Sequence, residues 1–145
     1  MVVVPALSLK GLGLGTASFG TNIDEVIGRI SVRLGPPTSD NIAECDGGSA
    51  RAISWPGLVA YGQGGVFVGY AHRAGSSPLS TPEGLELGDP IAKVPTLYGG
   101  YVFFNGSLGP EFTATASDGG THHGFATTPT GPIFLLSAGF ICVAR

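Results

Sequence analysis

The sequence predicts an α+β fold in which two short helices accompany an antiparallel β-sheet. The first observation behind this prediction is composition: 43% of the 145 residues are hydrophobic and only 12% are charged, so the chain should collapse around a core. Its 25 glycines and 11 prolines separate many short segments that are rich in β-branched and aromatic residues. The second observation is that a polar turn followed by a helical spacing of apolar residues occurs twice.

Two segments of the chain, residues 20–35 and 88–99, resemble each other. Aligning Gly20 with Gly88 places a similar turn before a similar apolar segment, and each segment ends in a hydrophobe followed by glycine. The first copy is longer by about one helical turn. We therefore predict one domain over residues 1–145, made of two tandem helix–strand repeats at about 11–72 and 84–145, which a Ser/Pro/Gly linker at 73–83 joins.

The first helix is predicted to begin after Thr21, which acts as its N-cap. Asp24 then lies in the first turn, where the positive end of the helix dipole favours a carboxylate. Gly35 and the two prolines that follow it end the helix. The apolar residues between these signals recur at helical spacing, at Ile23, Val26, Ile27, Ile30 and Leu34.

The second helix is predicted to be short and distorted. Asp89 is its predicted cap and Pro90 its first residue, a position that proline favours. Ile91 and Val94 would face the core. Pro95 cannot donate a hydrogen bond to the Ile91 carbonyl and its ring clashes with that carbonyl, so the helix should extend for about one turn.

The remaining residues are predicted to form strands and turns. Residues 38–49 are expected to be a loop that presents Cys45. Gly62–Gly65 and Asp118–Gly120 are typical of hairpin turns. The predicted strands are Arg51–Trp55, Leu58–Tyr61, Val66–His72, Tyr101–Asn105, Glu111–Ala116, His123–Thr128 and Ile133–Val143.

Charge and hydropathy exclude two classes of function. A net charge of −3 gives no basic surface for nucleic acid. No segment approaches the roughly 18 consecutive apolar residues of a membrane-spanning helix. Met1–Leu9 is apolar but lacks the basic leader of a signal peptide. We therefore interpret the chain as one without its signal segment, and a cytosolic protein that begins here is the alternative.

The two cysteines are Cys45 and Cys142. Neither is accompanied by a Cys or His at zinc-ligand spacing, so they either pair or remain two buried thiols. Low charge and abundant Thr, Ser and Gly favour an extracellular or cell-envelope protein, in which the cysteines would form a disulfide.

Several short motifs resemble those of a family of secreted tandem-repeat domains from actinobacteria, similar to beta-lactamase inhibitor protein and to the repeats of small outer-membrane assembly lipoproteins. The motifs are Gly20–Val26 with Leu34-Gly35, Gly84–Asp89 through Tyr98-Gly99, Trp55–Leu58 and Ala138–Cys142. The resemblance implies helices packed on one face of the sheet, a location outside the cytoplasm, a disulfide, and binding instead of turnover. The chain departs from the inhibitor in its two cysteines, its Pro95 and its sparser aromatic residues, so inhibition of a beta-lactamase does not follow.

The residues that come nearest to a catalytic or metal-binding set are His122 and His123 with Asp118. Adjacent residues on a strand point to opposite faces, so the two imidazoles should not share a metal, and His72 ends another strand. There is no Gly-x-Ser-x-Gly motif and neither cysteine has a base beside it. We predict separate surface histidines, with no catalytic residue, metal or cofactor. A small hydrolase or metal-binding protein that uses His123 and Asp118 is the alternative.

Aromatic residues give the better functional prediction. Trp55, Tyr61, Tyr70 and Tyr101 lie on predicted strands and are the predicted binding residues, because Tyr and Trp anchor protein interfaces. Packing in the core is the alternative for each of them. The predicted function is a non-catalytic exported module that recognises a protein or a cell-envelope component through an open sheet face. A structural accessory domain of a larger surface protein is a further alternative.

Overall fold

The computed structural model describes residues 7–45, 48–74, 79–106 and 109–142. A small hairpin comes first, formed by β1 (Gly13–Leu14) and β2 (Ala17–Ser18), and helix α1 (Ile23–Leu34) follows it. A 3-10 turn at Ile91–Lys93 leads directly into α2 (Val94–Leu97). The other strands are β3 (Ser39–Cys45), β4 (Gly48–Trp55), β5 (Leu58–Gln63), β6 (Val66–Arg73), β7 (Gly100–Gly106), β8 (Gly109–Thr115), β9 (Thr121–Ala126) and β10 (Ile133–Gly139).

Strands β3 to β10 form one eight-stranded sheet in the order β3-β4-β5-β6-β10-β9-β8-β7. Every neighbouring pair is antiparallel. Each half of the chain therefore contributes a helical segment and then a four-stranded meander, and the two meanders meet where β6 pairs with β10. The predicted α+β class is confirmed.

Both helical segments lie on the same side of the sheet, which we call the helix side. Ile23, Val26 and Ile30 of α1 share one buried cluster with Ile91 and Val94 of the second segment. Side chains of the central strands point into the same cluster, as do residues of the N-terminal hairpin: Ile53, Leu58, Phe67, Tyr70, Phe112, Ile133, Leu136, Leu14 and Ala17. The helical spacing of apolar residues thus becomes the contact between α1 and the sheet.

The N-cap of α1 is Asn22 and not the predicted Thr21. The Asn22 side-chain oxygen accepts hydrogen bonds from the backbone N–H groups of Asp24 and Glu25, which the first turn of a helix leaves without intrahelical partners. At the other end Gly35 has a φ of 83°, a conformation that favours glycine, and it donates to the Ser31 carbonyl.

The second helical segment is short, as predicted, and it is divided into the 3-10 turn and α2. Pro95 lies in the first turn of α2, the part of a helix that tolerates proline. Asp89 does not cap this segment. Its carboxylate instead accepts hydrogen bonds from the Glu86 N–H and from the Lys93 ammonium group.

Several predicted boundaries need correction. Residues 39–45 are strand β3 and not a loop, because this strand lies at a sheet edge where polar side chains stay in solvent. The last strand ends at Gly139, whose φ of 69° turns the chain out of the sheet. The strand predicted to begin at His123 begins at Thr121. Of the predicted linker, residues 75–78 lie outside the described residues, as does Val143.

A disulfide joins Cys45 to Cys142 across 97 residues of sequence, and this confirms the predicted pairing. To reach β3 from β10, residues 140–142 cross the side of the sheet opposite the helices, which we call the outer side. Phe140 donates from its backbone N–H to Val68 and packs its ring against Tyr61, with centroids 5.9 Å apart. This C-terminal tail therefore covers part of the outer side.

The longest helix within the described residues is α1, which has 12 residues, and none of the helices there has the length and apolarity that crossing a membrane requires.

Gly69 should be essential for the path of the C-terminal tail across the sheet, since a Cβ placed there would lie 1.8 Å from the Phe140 carbonyl oxygen. We expect Gly69→Ala to lower the free energy of unfolding by about 1–3 kcal/mol, because the tail must move from the sheet. The matched control is Gly28→Ala on the exposed face of α1, where an added Cβ meets nothing within 4 Å. That variant should gain about 0.5–1 kcal/mol from helix propensity. Chemical denaturation measures both, and equal effects of the two substitutions would contradict the described path of the tail.

Candidate functional site

The outer side of the sheet differs between its two halves. On β4 to β6, Tyr61 and the small residues Ala50 and Ala71 form a cluster beneath the tail residues Phe140 and Cys142. On β7 and β10, large apolar side chains are exposed instead: Val102 is 59% exposed, Phe134 41% and Phe104 36%. Large exposed apolar groups close together on one face are typical of interaction sites.

Four ring side chains form a continuous contact series on this part of the outer side, and we call them the aromatic row. The Phe104 and His123 rings are 6.2 Å apart, the His123 and Phe125 rings stack at 4.8 Å, and the Phe125 and Phe134 rings are 6.3 Å apart. The row therefore extends from the edge strand β7 across β9 to β10.

Strand register explains why these rings share a face. Phe112 points into the core on the helix side, so its neighbour Glu111 points to the outer side. Glu111 is directly opposite Phe104 on one neighbouring strand and Phe125 on the other. Side chains at opposed positions of adjacent strands lie on the same face, which brings the two phenylalanines to the outer side.

The side chain of Glu111 is fully buried at the centre of the aromatic row. Glu111 has no exposed surface, and its Oε1 lies 2.9 Å from Nε2 of His123. A carboxylate out of water needs charged or hydrogen-bonding partners, and His123 supplies one. The same contact fixes the plane of the imidazole that stacks on Phe125.

His123 pairs with Glu111 and not with Asp118, its partner in the hydrolase or metal-binding alternative. Asp118 lies in the turn between β8 and β9, where its two carboxylate oxygens accept hydrogen bonds from the Leu12 and Gly120 N–H groups. It therefore fixes a turn. Across the described residues, no three His, Cys, Asp or Glu side chains are grouped in a way that could hold a metal ion.

On the helix side, His122 lies inside a buried polar network. Its Nε2 is 2.8 Å from the Leu9 carbonyl oxygen, which only accepts, so Nε2 carries the proton in the neutral ring. Nδ1 is then an acceptor, and the Tyr98 hydroxyl 2.9 Å away donates to it. The Tyr98 and Thr81 hydroxyl oxygens are 3.0 Å apart. The network thus ties the N-terminal segment, the second helical segment and β9 together.

Glu83 lies at the edge of this network. Burial opposes its ionisation, but hydrogen bonds from the Ser117 N–H and hydroxyl to Oε2 outweigh burial and lower the pKa of this carboxyl. Oε1 lies 3.9 Å from Nδ1 of His122 and, within the described residues, makes no hydrogen bond. The side chain is only 8% exposed. The negative charge of this carboxylate raises the pKa of His122, against the larger lowering that burial causes.

His72 is buried in the same manner. Its Nδ1 lies 2.7 Å from the Gly57 carbonyl oxygen and must donate, while Nε2 accepts from the Leu79 N–H at 3.2 Å. The prediction of surface histidines is therefore wrong for His72 and His122, which are 0% and 1% exposed. Backbone groups satisfy both nitrogens of His72, whereas the Leu9 carbonyl and the Tyr98 hydroxyl satisfy those of His122. A sequence pattern does not reveal such long-range partners.

The structure separates the four predicted binding residues. Trp55 and Tyr70 lie in the core at 2% and 0% exposure, where the indole N–H donates to the Gly35 carbonyl and the Tyr70 hydroxyl donates to the Lys10 carbonyl. Neither can anchor a partner at the surface. Tyr61 is on the outer side but lies beneath the tail, and Tyr101 is half-buried on the helix side.

The exposed residues that the sequence prediction missed are Val102, Phe104 and Phe134. The alternation of core and solvent-facing residues along β8 could have identified Phe104. Phe112 and Ala114 face the core, so their partners on β7 do as well, and Phe104 then lies on the opposite face. Phe134 gave no such signal, since the pairing of β10 with β9 shifts register between Ile133 and Leu135.

Comparison of the chain with known protein families, with curated proteins and with solved structures gives no match. The fold and the site therefore define the class: a disulfide-linked α+β protein that exposes an aromatic row on the outer side of its sheet.

The two buried histidines predict that stability falls in mild acid. Burial lowers the pKa of His72 and of His122 below the ordinary value of 6.5, so the unfolded chain binds more protons than the folded one. Their contribution is complete above pH 6.5 and is lost as the pH falls below that value. We expect the free energy of unfolding to stay constant from about pH 8 to 7 and to fall from about pH 6.5 to 5, before carboxyl groups with ordinary pKa values near 4.5 contribute.

Histidine NMR resonances give an independent check of the same prediction. Those of His72 and His122 should keep neutral-ring shifts at a pH where exposed imidazoles are already half protonated. Ordinary titration of both rings, together with constant stability over this pH range, would contradict the buried network.

Proposed function

We propose that the protein is a non-catalytic binding module that holds a protein partner against the outer side of β7 to β10. The observation that carries this proposal is the aromatic row, in which two of the four rings, Phe104 and Phe134, are substantially exposed. Between them, His123 contacts the buried Glu111 and stacks on Phe125. Rigid aromatic side chains anchor interfaces because they bury large area and lose little conformational freedom.

The surroundings of the row indicate the chemistry of the partner. The outer-side positions of β8 and β9 next to it are Thr113, Thr115 and Thr121, which carry no charge. The carboxylate beneath it is paired with an imidazole and buried. An apolar, weakly charged protein surface fits this site, whereas nucleic acid or an anionic membrane surface requires a basic one.

The disulfide supports a location outside the cytoplasm, because disulfides form and persist in oxidising compartments. We propose that the protein acts in the cell envelope or the extracellular space. The repeated order of one helical segment and four strands supports an origin in two tandem repeats. In that case only the second repeat presents its outer side, since the tail covers the first.

Crosslinking from defined positions tests the proposed surface. A photo-crosslinking amino acid placed at Phe104 or at Phe134 should capture one protein, different in mass from this chain, from an envelope or culture-medium extract. The same amino acid at Val32, which is 69% exposed on α1, is the matched control and should not capture it. Equal capture from Val32, or none from the two row positions, would contradict the proposal.

Binding of the captured protein then measures the contribution of the row. Removing an aromatic anchor costs about 2 kcal/mol or more at an interface, so Phe104→Ala and Phe134→Ala should each weaken binding by about thirtyfold. Val32→Ala should leave the dissociation constant unchanged. Unaltered affinity in both row variants would exclude this face as the binding site.

A further inference from the structure

The two edges of the sheet differ in how they are protected against pairing with another strand. Natural sheets block their edges with charges, prolines or bulges, because an edge strand presents backbone N–H and C=O groups without partners. The edge strand β3 carries Asp40 and Glu44. The opposite edge strand β7 reads Gly-Tyr-Val-Phe-Phe-Asn-Gly from Gly100 to Gly106, with no charge and no proline.

Four consecutive residues of strand β7 are also exposed. Val102, Phe103, Phe104 and Asn105 are all exposed, and Phe103 on the helix side is 37% exposed. Within the described residues no strand pairs with β7 except β8. An apolar edge of seven residues without a charge is the kind of edge to which a further strand adds.

We propose that β7 pairs antiparallel with β7 of a second copy of this chain, so that two eight-stranded sheets become continuous across a two-fold axis. The proposal stands independently of the proposed partner. With the axis at Phe103, the middle residue of the strand, Phe103 opposes itself and Val102 opposes Phe104 of the second copy. Aromatic and β-branched side chains in opposed positions stabilise a sheet, and no like charges meet.

The same two-fold pairing at the other edge strand, β3, is unfavourable, and this contrast favours β7. An axis at Ile42, the middle of β3, would oppose Asp40 to Glu44 of the second copy, and would do so twice. Arg51 of β4 pairs with Asp40 and lowers the pKa of its carboxyl, so this edge carries an ion pair and a further carboxylate that a paired strand would desolvate, whereas β7 carries no charge. Like charges directly opposed across strands destabilise the pair.

Pairing at β7 also has a consequence for the outer side. Val102 and Phe104 both point there, so the two copies would bring their exposed side chains into one continuous apolar surface. Each chain has one such edge, so the assembly closes as a dimer and does not grow into a filament.

Sedimentation over a wide range of protein concentration tests the dimer. The wild type should show a reversible monomer–dimer equilibrium. Phe103→Lys should be monomeric, because two ammonium groups would meet at the axis, while Ile42→Lys on the other edge should dimerise as the wild type does. A mixture of Phe103→Lys and Phe103→Glu proteins should form a heterodimer, since the opposed charges then attract.

A single added cysteine gives the second measurement. The two native cysteines are joined in the disulfide, so Phe103→Cys introduces the one free thiol. Opposed residues of antiparallel strands have Cα atoms about 4.5–5.5 Å apart, which suits a disulfide, so this variant should crosslink to itself on mild oxidation. Ile42→Cys, the control, should not.

Three results would overturn the proposal. The first is a wild type that stays monomeric at every concentration, and the second is an association that continues beyond the dimer. The third is a dimer that survives Phe103→Lys but dissociates on Phe134→Ala, because the contact would then lie on the outer face and not at the edge.

Discussion

An open antiparallel sheet has two faces and two edges, and every other feature of this chain follows from how those four surfaces are satisfied. The helix side holds the larger buried cluster, in which α1, the second helical segment and the N-terminal hairpin bury Ile23, Val94 and Leu14. Both helical segments lie on this side, so within the part of the chain that the structure describes no helix covers the outer side. The tail covers one half of that side, and the second half exposes apolar side chains instead.

The path of the tail depends on local details in both halves of the fold. Gly139 turns the chain out of β10, and Gly69 of β6 leaves room for the chain to cross. Beyond it, the Cys45–Cys142 bond closes a loop of 97 residues, which stabilises the fold by about 4–5 kcal/mol if the loss of unfolded-state entropy is its main effect. This crosslink fastens residues 140–142 to the edge strand β3, whereas the opposite edge strand β7 carries no charge and no proline.

The sequence was most informative where local chemistry decides structure. The spacing from Ile23 to Leu34 predicted α1, and Pro95 predicted that the second helix would be short. It was least informative about which side of the sheet a residue faces, because that depends on register between strands. Trp55 and Tyr70 were predicted as anchors for their residue type alone, yet their register places them under the helices. Strand β3 was missed because an edge strand with polar residues has the composition of a loop.

The two halves share one order of elements but differ in where their polar groups lie, and this difference connects the fold to the proposed function. In the first half, Arg51 binds Asp24 and Asp40 at the surface, so charged side chains lie beside the edge strand β3. In the second half, the ionisable side chains Glu83, Glu111 and His122 are buried, and each has a hydrogen-bonding partner. The outer surface of that half is left with threonines and phenylalanines. The burial of Glu111 thus fixes the His123 ring and leaves an outer surface whose main attraction is for apolar groups.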